Sequence, residues 1–230
     1  MTRVVALATG AEARLRNEGA PLAAVLVNGG TAKPVPGTWS STSELLAREL
    51  APRHPGIAFA EVRYRVKTWK ELPSCIADAE AALDVVDGRG PGTALLVGFS
   101  MGGAVSIAAA GRDPVAGVLG LAPWIPPELS LDGLVGKRLD VVHGAWDRWL
   151  PGIPGVSPAV SRRGFERARA RGIDGSYTLI PRGLHGAAVR RPSGELQRLP
   201  SWRAWVEHVG AFLDRFERTG GGPRTARDAP

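Results

Sequence analysis

Short, valine-rich apolar runs alternate along this chain with longer segments of helical period, and that alternation leaves few folds open. The runs are Val4–Thr9, Ala13–Asn17, Ala23–Asn28, Ile57–Arg65, Thr93–Phe99, Val115–Leu121, Arg138–His143 and Ser176–Ile180. Strands of a parallel sheet are covered on both faces and so read as nearly continuous apolar runs, while the helices between them show apolar residues three and four apart. Helices are expected at Ser43–Leu50, Leu72–Val86, Met101–Ala110, Ser157–Arg171 and Ser201–Glu217. The first two runs are close enough for an antiparallel hairpin. The expectation is therefore an α/β fold, a mostly parallel eight-stranded sheet flanked by helices.

The helix ends are signalled locally. Pro73 sits at a first helical position, and Gly172 follows an arginine-rich last turn. The final helix carries Trp202, Trp205, Val206, Val209, Phe212, Leu213 and Phe216, an apolar stripe expected to dock on the sheet. With 230 residues the chain is sized for one core, so residues 1–218 are read as one domain. The last dozen, Thr219 to Pro230, hold a triple glycine, two prolines and no large apolar side chain, and are expected to form a frayed tail.

Charge argues against one class of partner. The net charge is +7, but only four of the 29 cations are lysines and the arginines are scattered among acidic residues. Arg162, Arg163, Arg167, Arg169 and Arg171 form the densest group, on an expected surface helix where a solvated face is the simpler reading. Nucleic acid is discounted. The single cysteine, Cys75, excludes an intrachain disulfide, and no Cys/His spacing suits a structural metal; a reducing, cytoplasmic setting without metal or cofactor is expected. Val4–Ala8 is too short for a secretory core, and no apolar stretch reaches the ~18 residues of a membrane span.

The segment Gly98-Phe99-Ser100-Met101-Gly102 stands at the junction of a buried strand and a helix. A serine there occupies a sharp turn that lifts its hydroxyl off the sheet, and the flanking glycines remove side chains that would collide. The helix that follows aims its free N–H groups at the same point, so the Met101 N–H is expected to meet an oxyanion. The second donor is expected in Asn28-Gly29-Gly30-Thr31, with Gly30 the choice.

A serine hydroxyl needs a base, and the base needs a carboxylate to hold its tautomer. His185, in the loop between the last strand and the last helix, follows a strand end, where open α/β sheets gather their active groups. His54 precedes a strand and lies at the other edge, His208 is inside the last helix, and His143, ending a strand, is read as structural. Asp147 follows Arg138–His143 and is the expected acid; Glu128, after the preceding strand, is the alternative, with Asp132 and Asp140 weaker. The order Ser100, Asp147, His185 results.

Through Asn28-Gly29-Gly30, Gly98 to Gly103, His143-Gly144 to Asp147-Arg148 and Gly183-Leu184-His185, residues 20 to 217 resemble the α/β-hydrolase superfamily. The chain looks most like its small capless members, such as dienelactone-hydrolase-like proteins and serine esterases. Asn28 stands where a histidine commonly precedes the oxyanion glycines there, and Ser100 where dienelactone hydrolase proper has a cysteine. The resemblance implies a carboxylic-ester or thioester hydrolase working through an acyl-enzyme on Ser100. An acyltransferase with the same triad and a non-catalytic binding protein on this fold are the alternatives.

Only 16 residues separate Leu121 from Arg138, too few for a lid. Trp39, Trp69, Trp124, Trp146 and Trp149 fall in loops near the expected site; Trp39, Trp124 and Trp149 are expected to bind a small apolar or aromatic substrate. Pinning of proline-rich loops is the competing role for these tryptophans. Arg63 and Arg65 are expected mainly in structural pairs.

Overall fold

The structure is a computed structural model that describes residues 2–88, 92–147 and 155–218. The expected tail at 219–230 lies outside them.

In chain order the elements are β1 (Arg3–Ala6), β2 (Glu12–Arg16), β3 (Leu22–Val27), β4 (Val35–Pro36), α1 (Ser41–Leu50), β5 (Ile57–Arg63), β6 (Val66–Lys67) and α2 (Leu72–Asp87). There follow β7 (Thr93–Phe99), α3 (Met101–Ala109), β8 (Val115–Leu121), β9 (Arg138–Gly144), α4 (Pro158–Ala170), β10 (Tyr177–Ile180), β11 (Ala188–Arg190), β12 (Leu196–Arg198) and α5 (Trp202–Arg218). The main sheet has eight strands in the order β1-β2-β5-β3-β7-β8-β9-β10. Only β2 runs against the others, pairing antiparallel with both β1 and β5.

Burial along the strands explains this order. Every residue of β3 is buried, as a central strand between two parallel partners requires, whereas β2 alternates buried and half-buried positions. Two apolar layers cover the sheet. Leu45, Leu46 and Leu50 of α1 join Trp205, Val209 and Phe212 of α5 on one face; Cys75, Leu83, Met101, Val105 and Phe165 from α2, α3 and α4 pack on the other. No separate cap domain is evident among the described residues, and none of their helices is long and apolar enough to cross a membrane.

All eight expected strands form, with shifted ends where local bonds intervene. β1 stops at Ala6 because Leu7 to Ala11 close a tight turn, Gly10 N–H donating to Leu7 O at 2.9 Å. β5 stops at Arg63, and the chain then turns into β6, which pairs with β4 in a small ribbon not expected from the sequence. Helix α1 begins before Ser43, because the Ser40 hydroxyl accepts the Ser43 N–H as the cap. The hairpin of β11 and β12 was also not expected. Its turn residue Gly194 has φ +85°, a left-handed conformation that suits glycine.

Arg162 and Arg167 of α4, and Arg171 just after it, are engaged locally. Arg167 donates to Pro126 O and Leu129 O, Arg171 pairs with Asp132, and Arg162 lies 4.1 Å over the Tyr177 ring. Arg63 pairs with Glu12, and Arg65 with Asp78.

Candidate active site

The carboxyl ends of β3, β7, β9 and β10 lead into the segments that hold Asn28, Ser100, Asp147 and His185. At the end of β7, Ser100 has φ 56° and ψ −119°, a backbone region that costs a non-glycine residue about 1–3 kcal/mol. Hydrogen bonds hold the turn in that state: Ser100 N–H donates to Leu121 O, while Ser100 O accepts from Gly103 and Trp124, all at 2.9 Å. The two flanking glycines are needed for the reason expected. A Cβ on Gly98 would stand 2.2 Å from Gly102 O, and one on Gly102 would stand 2.3 Å from Val27 O.

Asp147 and His185 are joined by their loops before their side chains meet. Ala145 N–H donates to Ile180 O and Trp146 N–H to Gly183 O, both at 2.9 Å. Gly144 permits this, since a Cβ there would lie 2.3 Å from Leu184 O. His185 Nδ1 is then 2.6 Å from Asp147 Oδ2. A carboxylate only accepts, so Nδ1 carries the proton and Nε2 keeps its lone pair. The imidazole tilts against Phe99, centroids 5.0 Å apart, beside Ser100 in the chain. The Ser100 hydroxyl makes no hydrogen bond to His185 in this structure.

Asp147 is 1% exposed. Burial raises its carboxyl pKa, but hydrogen bonds from His143 and His185 outweigh this and hold it below the usual carboxylate range. The rival acids are committed elsewhere. Asp140 is bound by Arg138 and Ser176, Asp132 by Arg171, and Glu128 is exposed. His54 bonds Glu217, away from the site.

His143 shares the acid. Its Nε2 is 2.9 Å from Asp147 Oδ2 and 2.8 Å from Val156 O, and its Nδ1 is 2.7 Å from Ser161 Oγ, which meets Tyr177 Oη at 2.7 Å. Sequence reasoning placed His143 at a strand end without a partner, since Ser161 and Tyr177 approach it from other elements.

At the opposite wall, Asn28 shapes the glycine loop. Its Nδ2 donates to Thr38 O at 2.7 Å, its Oδ1 accepts Gly29 N–H at 2.7 Å, and its carbonyl accepts the Tyr64 hydroxyl at 2.8 Å. With Gly29 so engaged, Gly30 N–H and Met101 N–H have no hydrogen-bond acceptor among the described residues. The two residues touch: a Cβ on Gly30 would lie 2.2 Å from Met101 Sδ.

Between these walls lies a cleft of about 580 Å³ lined by Asp147, His185, Trp39, Phe99 and Trp146, with Val189 of β11. Two guanidinium groups lie against Trp39, Arg14 at 4.6 Å and Arg63 at 5.4 Å from its ring. Trp124 packs instead against the core beside α3 and does not line this cleft. Trp149 lies outside the described residues. Lys67 also lines the cleft, its ammonium 3.0 Å from Thr38 Oγ1 and its pKa lowered by burial. Thr42, which sequence reasoning passed over, fixes the segment after His185 by accepting Ala187 N–H at 3.2 Å, 145 residues away.

The arrangement is the α/β-hydrolase fold, with no separate cap domain among the described residues. A crystal structure of a sugar hydrolase from Lactococcus lactis superposes with a TM-score of 0.70 at 18% identity, covering 96% of this chain and 100% of that one. The carboxylesterase Cest-2923 from Lactobacillus plantarum gives 0.67 at 14%, covering 96% and 97%. Dienelactone hydrolase from Anabaena variabilis gives 0.65 at 17%, covering 94% and 97%. No protein-family model matches the sequence, and no curated protein is similar to it in sequence.

Proposed function

We propose that the protein is a serine hydrolase that cleaves a carboxylic ester or thioester of a small apolar or aromatic acid. One observation carries this reading: a buried carboxylate fixes a histidine tautomer 2.6 Å away, in a cleft whose wall residue Phe99 adjoins a serine in strained backbone. Likeness in fold to carboxylesterases and a dienelactone hydrolase supports the hydrolase class. The cleft falls within the 300–1,000 Å³ usual for small-molecule sites, and its tryptophans suit an apolar or aromatic acyl group.

In the proposed reaction, Ser100 Oγ attacks the carbonyl carbon as its proton passes to His185 Nε2. The N–H groups of Met101 and Gly30 stabilise the oxyanion. The C–O or C–S bond to the leaving group then breaks, and His185 returns the proton to the departing alcohol or thiol. Water attacks the acyl-enzyme with His185 again taking a proton, and the acid is released. The test is labelling by a fluorophosphonate together with turnover of p-nitrophenyl esters of increasing chain length. Labelling that maps to Ser100 and disappears in Ser100→Ala is expected; turnover that persists in Ser100→Ala overturns the proposal.

A further inference from the structure

We infer that His143 is a positioning residue for the Asp147–His185 pair, a fixed N–H donor on the same carboxylate oxygen that receives His185. The inference rests on the hydrolase reading of that pair. It adds a second imidazole that touches no substrate.

Proton bookkeeping determines the donor. His143 Nε2 faces Asp147 Oδ2 and Val156 O, two atoms that only accept, so Nε2 must carry a hydrogen. Nδ1 faces only Ser161 Oγ, which can donate to it. The Tyr177 hydroxyl, 2.7 Å from Ser161 Oγ and 2.9 Å from Pro158 O, donates to Ser161 Oγ, whose own proton goes to Nδ1. Thus β9, α4 and β10 each supply one member of a satisfied chain, and the ring cannot flip without losing it. His143 is fully buried, so these bonds are shielded from bulk solvent.

The effect on the acid is specific. Asp147 takes both imidazoles on Oδ2, while its buried Oδ1 has no partner among the described residues. The carboxylate plane is consequently set by two donors on one oxygen. His143 also ties Asp147 to Val156, on the far side of the segment between them. Removing its N–H leaves a carboxylate free to rotate and more basic toward His185, which stabilises the protonated imidazole. The groups around this network are Asp147 and His185 on the cleft side, Tyr177 from β10, and Arg162 and Glu166 of α4 beside the Tyr177 ring.

The test compares His143→Phe, His143→Asn and His143→Gln by the pH profile of kcat/KM on a p-nitrophenyl ester. Glutamine can place an amide N–H where Nε2 lies; asparagine is too short to reach Asp147, and phenylalanine has no donor. Loss of a hydrogen bond to a charged group predicts about a 10- to 100-fold fall in kcat/KM for the Phe and Asn variants. Their acidic limb should move up by roughly half a pH unit or more, while Gln restores the limb and most of the activity. An unmoved limb in both Phe and Asn variants, or a Gln variant as impaired as Asn, overturns the inference. If fluorophosphonate fails to label Ser100 in the wild type, the hydrolase reading fails separately, and low-field proton NMR decides the positioning. The His185 Nδ1–H resonance is then expected to shift in His143→Asn but not in His143→Gln, and an unshifted resonance in His143→Asn overturns it.

Discussion

Nδ1 of His185 lies 2.6 Å from Oδ2 of Asp147, a residue 38 positions earlier, and that distance fixes which histidine tautomer faces the cleft. Asp147→Asn keeps the shape but offers an amide where a carboxylate stood, so the wrong tautomer becomes favoured. The expected result is a fall in kcat of about 10³- to 10⁴-fold with a much smaller change in KM. Glu128→Gln, on an exposed loop, should leave both constants near wild type. Steady-state kinetics on one ester decides the ranking.

Ser100 combines a hydroxyl with a backbone region that disfavours any side chain. Ser100→Ala removes the hydroxyl and keeps the strain; Ser100→Gly removes both. Both variants should lose activity by about 10⁴-fold or more, while the glycine variant should unfold at higher denaturant, by about 1 kcal/mol relative to alanine. Equal midpoints for the two would show that the turn stores no strain.

The glycine loop is tested by volume. Gly30→Ala places a methyl 2.2 Å from Met101 Sδ and 3.1 Å from Met101 Cβ, so either the buried Met101 side chain repacks or the Gly30 segment moves off its proposed donor position. A drop in kcat of about 10²-fold is expected, the size associated with losing one such donor. Retention of full kcat would show that the Met101 side chain yields and leaves the donor in place.

Acid should unfold the protein through particular carboxylates. Glu44 is raised by burial but more strongly lowered by Arg14 and Arg190, and Asp140 is raised by burial but more strongly lowered by Arg138, Ser176 and Arg215. Asp147 is depressed in the same sense. A depressed carboxylate stabilises the fold fully above its unfolded pKa, about 4, and that contribution is lost as pH falls through the folded value. Tm should therefore be level near neutrality and decline below about pH 4. Glu44→Gln should lower Tm at pH 7 and flatten the acid slope, since Glu44 bridges Arg14, Arg48 and Arg190 across three elements. Thermal melts across pH report both.

Two tryptophans that look alike in sequence should behave differently. Trp39, which lies against two guanidinium groups in the cleft, should on change to alanine raise KM for aromatic acyl esters by about 10-fold. Trp124→Ala should lower Tm without altering preference among acyl chains, because its side chain packs on the core. Measuring KM across an acyl series for both variants separates them.

Much of this molecule follows from local pattern. Burial of all of β3, and of β7 up to Gly98, is written as nearly unbroken apolar runs, and the steric need for Gly98 and Gly102 follows from the turn itself. The order Ser100, Asp147, His185 could be placed at strand ends before any coordinates, because a parallel sheet sends every such end to one edge. Short elements were harder. The β4–β6 and β11–β12 ribbons are two or three residues long per strand, below the length at which alternation carries a signal, and yet β11 walls the cleft.

Contacts between distant residues belong to the tertiary structure alone. His143 reads as the end of a strand until Ser161 and Tyr177 arrive from α4 and β10, and Asn28 reads as a missing histidine until Thr38 and Tyr64 brace it. Trp39 and Trp124 part company only when arginines from β2 and β5 reach the ring of one of them. Periodicity along a chain encodes which side of an element is buried. Which atoms then share a proton depends on packing to a fraction of an ångström among segments that the chain keeps far apart.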